Sequence, residues 1–523
     1  AEISYHKAIK IKPDFAQAHS NLGNILKELG RLKEAEISIK KSIEIKPDLA
    51  DAYLNLGIIL RDNGRLKEAV LSTRKAIKLK PDLADAHLNL GNILRDLGRI
   101  IEAETYTRKA IELNPNSEIA YSSLGSILRD LGKLQAAELS QLKAIELKSD
   151  FAEAYLSLGN ILKDLGKINQ SKDAYDKCLD IYPNDLSYNI NAKLLLSTIP
   201  LDEDQITIER QKYKEEISKL RSNHNLVFKS NRIFSTNSFY LAYHNYYDDK
   251  EILEKLATAL SHFPEIINKS FNKKKQIDSI NKRNKIRLGI CSEFLRIHTI
   301  GNFFENLIQD FSSAGLEVII FRPACSKIDT ISKRIDSYVS ESIVLPIDVQ
   351  SGCKIILSKS IDVLFYPDIG MSNYTYLLSL SRLALVQVTS FGHPNTSGSA
   401  NIDYFISAKE TETEESEQFY TEKLIRFSRL PFNQSQPKIK ENVFNRNDLN
   451  ISDDIFLIGL PQSLFKLHPA YDYILEKIIK EIPNSFLLLI EGIDKSQKEL
   501  LQARWRKKTK LLLKRSFFSP RVD

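Results

Sequence analysis

Three polar segments stand out because each follows a short apolar run. They are Cys291-Ser-Glu-Phe-Leu-Arg-Ile-His298-Thr-Ile-Gly301, Ser390-Phe-Gly392-His393-Pro394-Asn-Thr396-Ser397-Gly398 and Leu460-Pro-Gln462-Ser463-Leu-Phe-Lys466-Leu-His468. They hold histidines that can carry a proton, a lysine that can face an anion, hydroxyls that can donate hydrogen bonds, and glycines that let backbone approach a ligand closely. Taken singly, none decides a function: a loop histidine is usually an ordinary surface side chain, and a lysine after a strand is usually solvated.

The apolar runs leading into these segments alternate with helical stretches. Runs at 286–290, 318–321, 361–365, 385–388 and 404–406 form one series; 455–460, a helix near 470–481, and 486–490 form a second. Alternating β and α segments predict parallel sheets covered by helices, with ligands held at the carboxyl ends of the strands. A Pro/Gln/Lys/Asn-rich stretch near 432–445 separates the two series, dividing 286–437 from 438–523. Before them lies a helical linker, 186–285, in which 204–222 and 251–261 read as helices and the Lys/Asn-rich 272–284 as an exposed connection.

The first third keeps a period of 34 residues. Pro13, Pro47, Pro81 and Pro115 mark it, Pro183 falls two periods on, and two glycine ladders keep the step, Gly23 to Gly159 and Gly30 to Gly166. A repeat of this length is a helix-turn-helix unit, stacked into an array that holds something. The first glycine lets helix A approach helix B, the second ends helix A in a left-handed conformation, and proline closes helix B. Ala35, Ala69, Ala103 and Ala137 are small where helix B packs on helix A; Ser149 replaces one proline, losing a stop signal but not the register. The pattern matches the tetratricopeptide repeat over 16–185, with 1–15 as a leftover helix B, so 1–185 form an α superhelical array. Asn21, Asn55 and Asn89 recur at the same step, continued by Ser123 and Ser157. Stacking lines them up on one face, either as a solvated polar surface or as a ladder of amides that grips an extended polypeptide.

At 523 residues, 42% of them hydrophobic, the chain is long enough for more than one domain. Its net charge of +7 is spread among interspersed charges of both signs, which gives no nucleic-acid footprint. The basic runs at 273–275 and 504–508 read as linker and solvated helix face. Cys178, Cys291, Cys325 and Cys353 show neither metal nor disulfide spacing and suit a reducing compartment. No apolar run reaches the length of a membrane span and no signal peptide is recognisable, so a cytoplasmic protein without a membrane partner is expected.

Taken in order, these features resemble the O-GlcNAc transferase family, including its bacterial and SPINDLY-type members, over nearly the whole chain. The resemblance rests on the repeats, the helical linker, His298 after the first strand, Gly-His-Pro-x-Thr-Ser-Gly at 392–398 with Ile402-Asp403-Tyr404, Phe419-Tyr420-Thr-Glu-Lys423-Leu424, and Gln-Ser-Leu-Phe-Lys at 462–466. It implies a GT-B glycosyltransferase fold of two Rossmann-like lobes with a nucleotide sugar between them and no metal or other cofactor. It also implies transfer of N-acetylglucosamine from UDP-GlcNAc to Ser or Thr hydroxyls of protein acceptors, with inversion, the repeats presenting the polypeptide. Lys466 matches the family lysine beside the diphosphate, where a cation stabilises the charge growing on the leaving group. His298 matches the histidine near the reacting centre, one candidate for the base. Gly392 and Pro394 match a loop beside the sugar; Thr396, Ser397, Gln462 and Ser463 are the other expected donor contacts.

Two residues depart from animal members of the family: His393 stands for their Tyr, and Ser463 for a diphosphate-contacting Gln. The sequence opens at Ala1 in mid-repeat and stops before the His-Thr-Thr-Gly-like loop and the phosphate-receiving helix that the family carries. A fragment with an incomplete second lobe and little or no activity of its own is therefore expected. The alternatives are an O-fucosyltransferase using GDP-fucose, as in some SPINDLY members, and a non-catalytic tetratricopeptide scaffold.

Overall fold

The computed structural model describes residues 1–228, 234–245, 247–324, 326–433, 446, 451–492 and 496–519. Cys325, the lobe boundary at 437/438 and most of the 432–445 break lie outside the described residues. The chain forms two compact units: Ala1–Ile161 with the short segments Pro323–Lys327 and Val344–Ile347, and the remainder. The division falls inside the helix Ala152–Asp164, within the last predicted repeat.

In the first unit, the helix Glu2–Ile11 precedes four antiparallel pairs: Ala16–Glu28 with Leu32–Ile45, Ala50–Asp62 with Leu66–Leu79, Ala84–Asp96 with Ile100–Leu113, and Glu118–Asp130 with Leu134–Leu147. The repeat chemistry works as the period predicts. A Cβ on Gly57 would lie 2.2 Å from Thr73 Oγ1, so the first ladder is a close helix contact. Gly30, Gly64, Gly98 and Gly132 take φ of +71° to +74°, ending each first helix in the left-handed region. Ala35, Ala69, Ala103 and Ala137 are fully buried. Arg65 reaches both Glu68 on its own helix and Glu36 in the preceding repeat, an exposed ion-pair stitch of modest worth.

Ser149 keeps the register. The helix before it ends at Leu147, and the cap Lys148 has φ −144° and ψ 98°, close to Lys80 at −140° and 89°, which precedes Pro81. That extended geometry is what a residue before proline needs. Ser149→Pro should therefore raise the stability of the array by about 0.4–1 kcal/mol, read as a higher urea midpoint, by restricting the unfolded chain.

The second unit carries two sheets, apart from Pro323, Val344 and Leu345, which are assigned to the first. β1 (Arg287–Cys291), β2 (Glu317–Pro323), β3 (Glu341–Leu345), β4 (Val363–Tyr366), β5 (Val386–Ser390), β6 (Tyr404–Ala408) and β7 (Lys423–Phe427) lie in the order β3-β2-β1-β4-β5-β6-β7. β8 (Phe456–Leu460), β9 (Ser485–Ile490) and β10 (Ser516–Ser519) lie in the order β10-β9-β8. β1 pairs parallel with β2 and β4, as do the successive pairs from β4 to β7 and both pairs of the smaller sheet. This is the helical array followed by Rossmann-like α/β structure that the sequence predicts. β3, β7 and β10 are additional to the predicted runs. β3 is a largely exposed edge strand, β7 lies inside the Glu-Lys-Leu motif, and β10 is only four residues long. Above the sheet, the helix Thr299–Ser313 lays Ile300, Phe304 and Ile308 on Leu288, Ile290 and Val388. An apolar cleft of about 440 Å³, lined by Leu288, Phe311, Phe365, Val388, Ile406 and Phe427, is nearly devoid of polar atoms and unsuited to a charged donor.

Two sequence readings are corrected here. Residues 272–284 are not merely an exposed connection: Asn272 caps the helix Lys273–Ile280, buried Gln276 donates to the Ile361 carbonyl at 2.6 Å, and Arg283 bonds Asp362 at 2.8 Å. The run 504–508 is not a solvated face throughout. Arg504 is buried in the helix Ser496–Lys508, donating to Asp472 at 2.9 Å and to the carbonyls of Leu467 and Pro200, while Trp505 Nε1 donates to the same Asp472 oxygen at 2.9 Å. Asp472→Ala would strand a buried guanidinium, a change that costs about 3–5 kcal/mol. Trp505 is the sole tryptophan, so its fluorescence should report that loss as an earlier unfolding transition of this lobe, with Asp472→Asn less affected.

Candidate functional site at the carboxyl edge of the large sheet

From β1 the chain moves outward to β2 and β3, then returns to the opposite side of β1 as β4. The carboxyl ends of β1 and β4 therefore flank a topological switch point, where open α/β sheets bind ligands. Three loops meet there: 292–298 after β1, 367–372 after β4, and 391–398 after β5.

Ser292 ties the first two. Its hydroxyl donates to Asp368 Oδ2 at 2.7 Å and accepts from the Phe294 amide at 2.9 Å. Beside it, Ser372 donates to Glu293 at 2.7 Å. His298 caps the helix Thr299–Ser313: its Nδ1 accepts from the Ile300 amide at 3.2 Å, and its ring lies 4.8 Å from that of Phe294. With Nδ1 accepting, a neutral ring carries its proton on Nε2.

Gly392 follows β5, and its amide donates to the Pro367 carbonyl at 3.1 Å. A Cβ there would lie 2.2 Å from that oxygen and 2.7 Å from Ile300 Cδ1. The close approach expected of this glycine is thus made to a neighbouring loop and to the helix that His298 caps. His393 is buried, its Nε2 donating to the Phe239 carbonyl at 3.3 Å, and burial pushes its pKa down to about 4, so the ring is neutral near pH 7. The ring packs on Gly370, whose φ of +101° and lack of Cβ make room for it. Pro394 is exposed.

Thr396 and Ser397 do not point free hydroxyls at a donor. Both are buried and both donate to the carboxylate of Glu422, which also accepts the Ser397 amide at 2.8 Å. Their observed role is to pin the end of the 391–398 loop against the Glu-Lys-Leu motif.

Gln462, Ser463 and Lys466 are exposed on the turn after β8, with Lys466 closing the short 3-10 helix Leu464–Lys466. Aromatic rings link this turn to the larger lobe. Phe239 lies 5.2 Å from His393 and 5.6 Å from Phe465, and Tyr243 lies 5.1 Å from Phe465. His298, Gly392, His393 and the Lys466 turn are therefore joined by successive contacts within one unit.

The asparagine column belongs to the first unit, and its members are not equivalent. Asn21 accepts from Gln17, Asn55 donates to Ser20 at 3.3 Å, and buried Asn89 donates to Thr73 at 3.0 Å. Asn89 serves inter-helix packing, whereas Asn21 and Asn55 remain partly accessible.

Sequence reasoning missed Asp368, Ser292, Glu422 and Phe239, because their neighbours are dozens of residues away. Asp368 is fully buried, and burial raises its pKa to about 7 while Oδ1 has no hydrogen-bond partner. Its folded-state pKa lies above the unfolded value of about 3.9, so the unfolded state releases this proton first as pH rises. Asp368 thus disfavours folding increasingly from about pH 4 to pH 7. Asp368→Asn should gain stability relative to the natural protein across that window, by up to about 1.4 kcal/mol per pH unit, and denaturant titrations at pH 4.5 and 7.5 should show the gap widening.

The geometry defines a class: a helical repeat array followed by Rossmann-like α/β structure with a polar switch-point site. Known proteins agree on the repeat array. Residues 16–49, 119–151 and 152–185, and also 39–70 and 84–117, match the tetratricopeptide repeat family, and 57–98 match a TPR repeat profile. The array is a run of tetratricopeptide repeats, and the chain is similar to O-GlcNAc transferases. It is 22% identical over 217 residues to a probable UDP-N-acetylglucosamine–peptide N-acetylglucosaminyltransferase SEC of Arabidopsis thaliana, covering 39% of this chain and 22% of the relative, less than a quarter of its length. A solved O-GlcNAc transferase mutant of Thermobaculum terrenum is 17% identical, with 91% of this chain and 74% of that chain covered and a TM-score of 0.42. YrrB, a TPR protein with an unusual peptide-binding site, is 26% identical over 35% of this chain and 95% of its own, with a TM-score of 0.28. Among the described residues, no helix is long and apolar enough to cross a membrane.

Proposed function

We propose that this chain belongs to a protein O-glycosyltransferase that moves N-acetylglucosamine from UDP-GlcNAc to Ser or Thr hydroxyls of polypeptides held by the repeats. The observation that carries the proposal is the convergence of three motif segments. The loops bearing His298, Gly392 and Lys466 each follow the carboxyl end of a parallel strand and are joined through Phe239 and Phe465. The similarity to the Arabidopsis transferase supports it further.

In this reading the acceptor hydroxyl attacks the anomeric carbon from the face opposite the diphosphate. The bond to the sugar forms as the bond to the phosphate oxygen breaks; UDP leaves carrying the electron pair, and the hydroxyl proton passes to a departing phosphate oxygen. Exposed Lys466 offers its ammonium to that developing charge. His298, donating through Nε2, would orient an oxygen near the reacting centre, and neutral His393 would keep the loop beside the sugar in place. Gln462 and Ser463 are proposed as diphosphate-side contacts and Pro394 as a wall beside the sugar. Asn21 and Asn55 are the proposed polypeptide contacts on the array. No metal enters this scheme, and a reducing, cytoplasmic setting is part of the proposal.

A transfer assay with the complete gene product and a Ser-rich acceptor tests this reading. Label from UDP-GlcNAc should appear on the peptide, and Lys466→Ala should lower kcat by about 10²–10³-fold. Transfer from GDP-fucose alone would reassign the donor, and transfer from neither with retained peptide binding would leave a scaffold.

A further inference from the structure

The short helix Ser238–Tyr243 lies in the segment between the repeats and the large sheet, yet it touches the turn that bears Lys466. Lys466 Nζ lies 5.7 Å from the centroid of the Tyr243 ring, within the range at which an ammonium is attracted to an aromatic face. Among the described residues, no carboxylate forms an ion pair with Lys466. Tyr243 is itself held in a cluster, its ring 5.3 Å from Phe239 and 5.1 Å from Phe465. Burial pushes the Tyr243 phenol up to about 12, so the ring is neutral near pH 7 and the attraction is to its face rather than to a phenolate.

We propose that Tyr243 is a positioning residue for Lys466, its ring holding the ammonium in place while leaving the charge available to a phosphate group. The physical argument is one of competition. A carboxylate partner would order the lysine but would also neutralise it, and a diphosphate would have to break that pair before binding. An aromatic face attracts the ammonium more weakly than a carboxylate would and carries no net charge to displace. Phe239 extends the arrangement: its carbonyl accepts from His393 while its ring contacts both His393 and Phe465. The cluster thereby fixes the Lys466 turn relative to the 391–398 loop. This inference rests on the proposed role of Lys466 in receiving the nucleoside diphosphate, but its geometry is testable independently.

The test is made on the whole chain, with its lysines reductively methylated using ¹³C-formaldehyde, which keeps their charge. The Lys466 signal is assigned by its disappearance in Lys466→Arg. In the natural protein that signal should be displaced upfield by the ring current of Tyr243. It should return to the position of solvated lysines in Tyr243→Leu and stay displaced in Tyr243→Phe, with Trp505 fluorescence confirming that each variant is folded. In parallel, UDP titrated into each variant should bind about two- to fivefold more weakly to Tyr243→Leu and equally well to Tyr243→Phe. An undisplaced Lys466 signal in the natural protein, or one unchanged in Tyr243→Leu, overturns the proposal. If UDP does not bind the natural chain, the proposed diphosphate role of Lys466 in this chain falls, while the methyl signal still decides whether Tyr243 positions it.

Discussion

Parallel strands cannot be joined by a tight turn; the chain has to cross the face of the sheet between one strand and the next. In the seven-stranded sheet this rule places successive strand-to-helix loops at the same carboxyl edge, and the reversal between β1 and β4 opens a crevice along it. The rest of the candidate site depends on that constraint. Ser292 and His298 arrive from β1, Asp368 and Gly370 from β4, and Gly392 and His393 from β5. None of these groups is near another family in sequence, yet Ser292 bonds Asp368 and the Gly392 amide reaches Pro367.

The segment 186–285 is a working part of this lobe. Beyond the contacts of Phe239 and Tyr243, the Thr236 amide donates to Asn373, Thr421 donates to Glu254, and Asn395 donates to Asp249, which is in turn paired with buried Arg210 at 2.6 Å. A buried ion pair of this kind is weak evidence for net stability, because desolvation offsets much of the attraction. Here its carboxylate also receives a hydrogen bond from the 391–398 loop, so its geometry bears on where that loop rests.

Much of the architecture was legible in the sequence because it rests on short-range regularity. A 34-residue step with small residues at fixed offsets leaves one way to stack helix pairs, and Ser149 shows that the register survives loss of one proline. Apolar runs located seven of the ten strands among the described residues for the same reason: a buried strand has to be apolar within a few residues. The weak spots were polar residues whose partners are distant. Arg504 looked solvated until Asp472 appeared beside it, and Gln276 looked like linker until the Ile361 carbonyl accepted its amide. Thr396 and Ser397 looked like ligand contacts until Glu422 claimed both hydroxyls.

By itself, then, the sequence determined the repeat array, the alternation of strands and helices, and the loops that carry the candidate site residues. These follow from local periodicity and from the exclusion of water from apolar surface. Tertiary structure alone decided which polar atoms in those loops are already satisfied and which remain available. A hydrogen bond needs both partners within about 3 Å, and here those partners come from different crossovers. That is why the motif resemblance at 462–466 named Lys466, and only the fold placed the Tyr243 ring next to it.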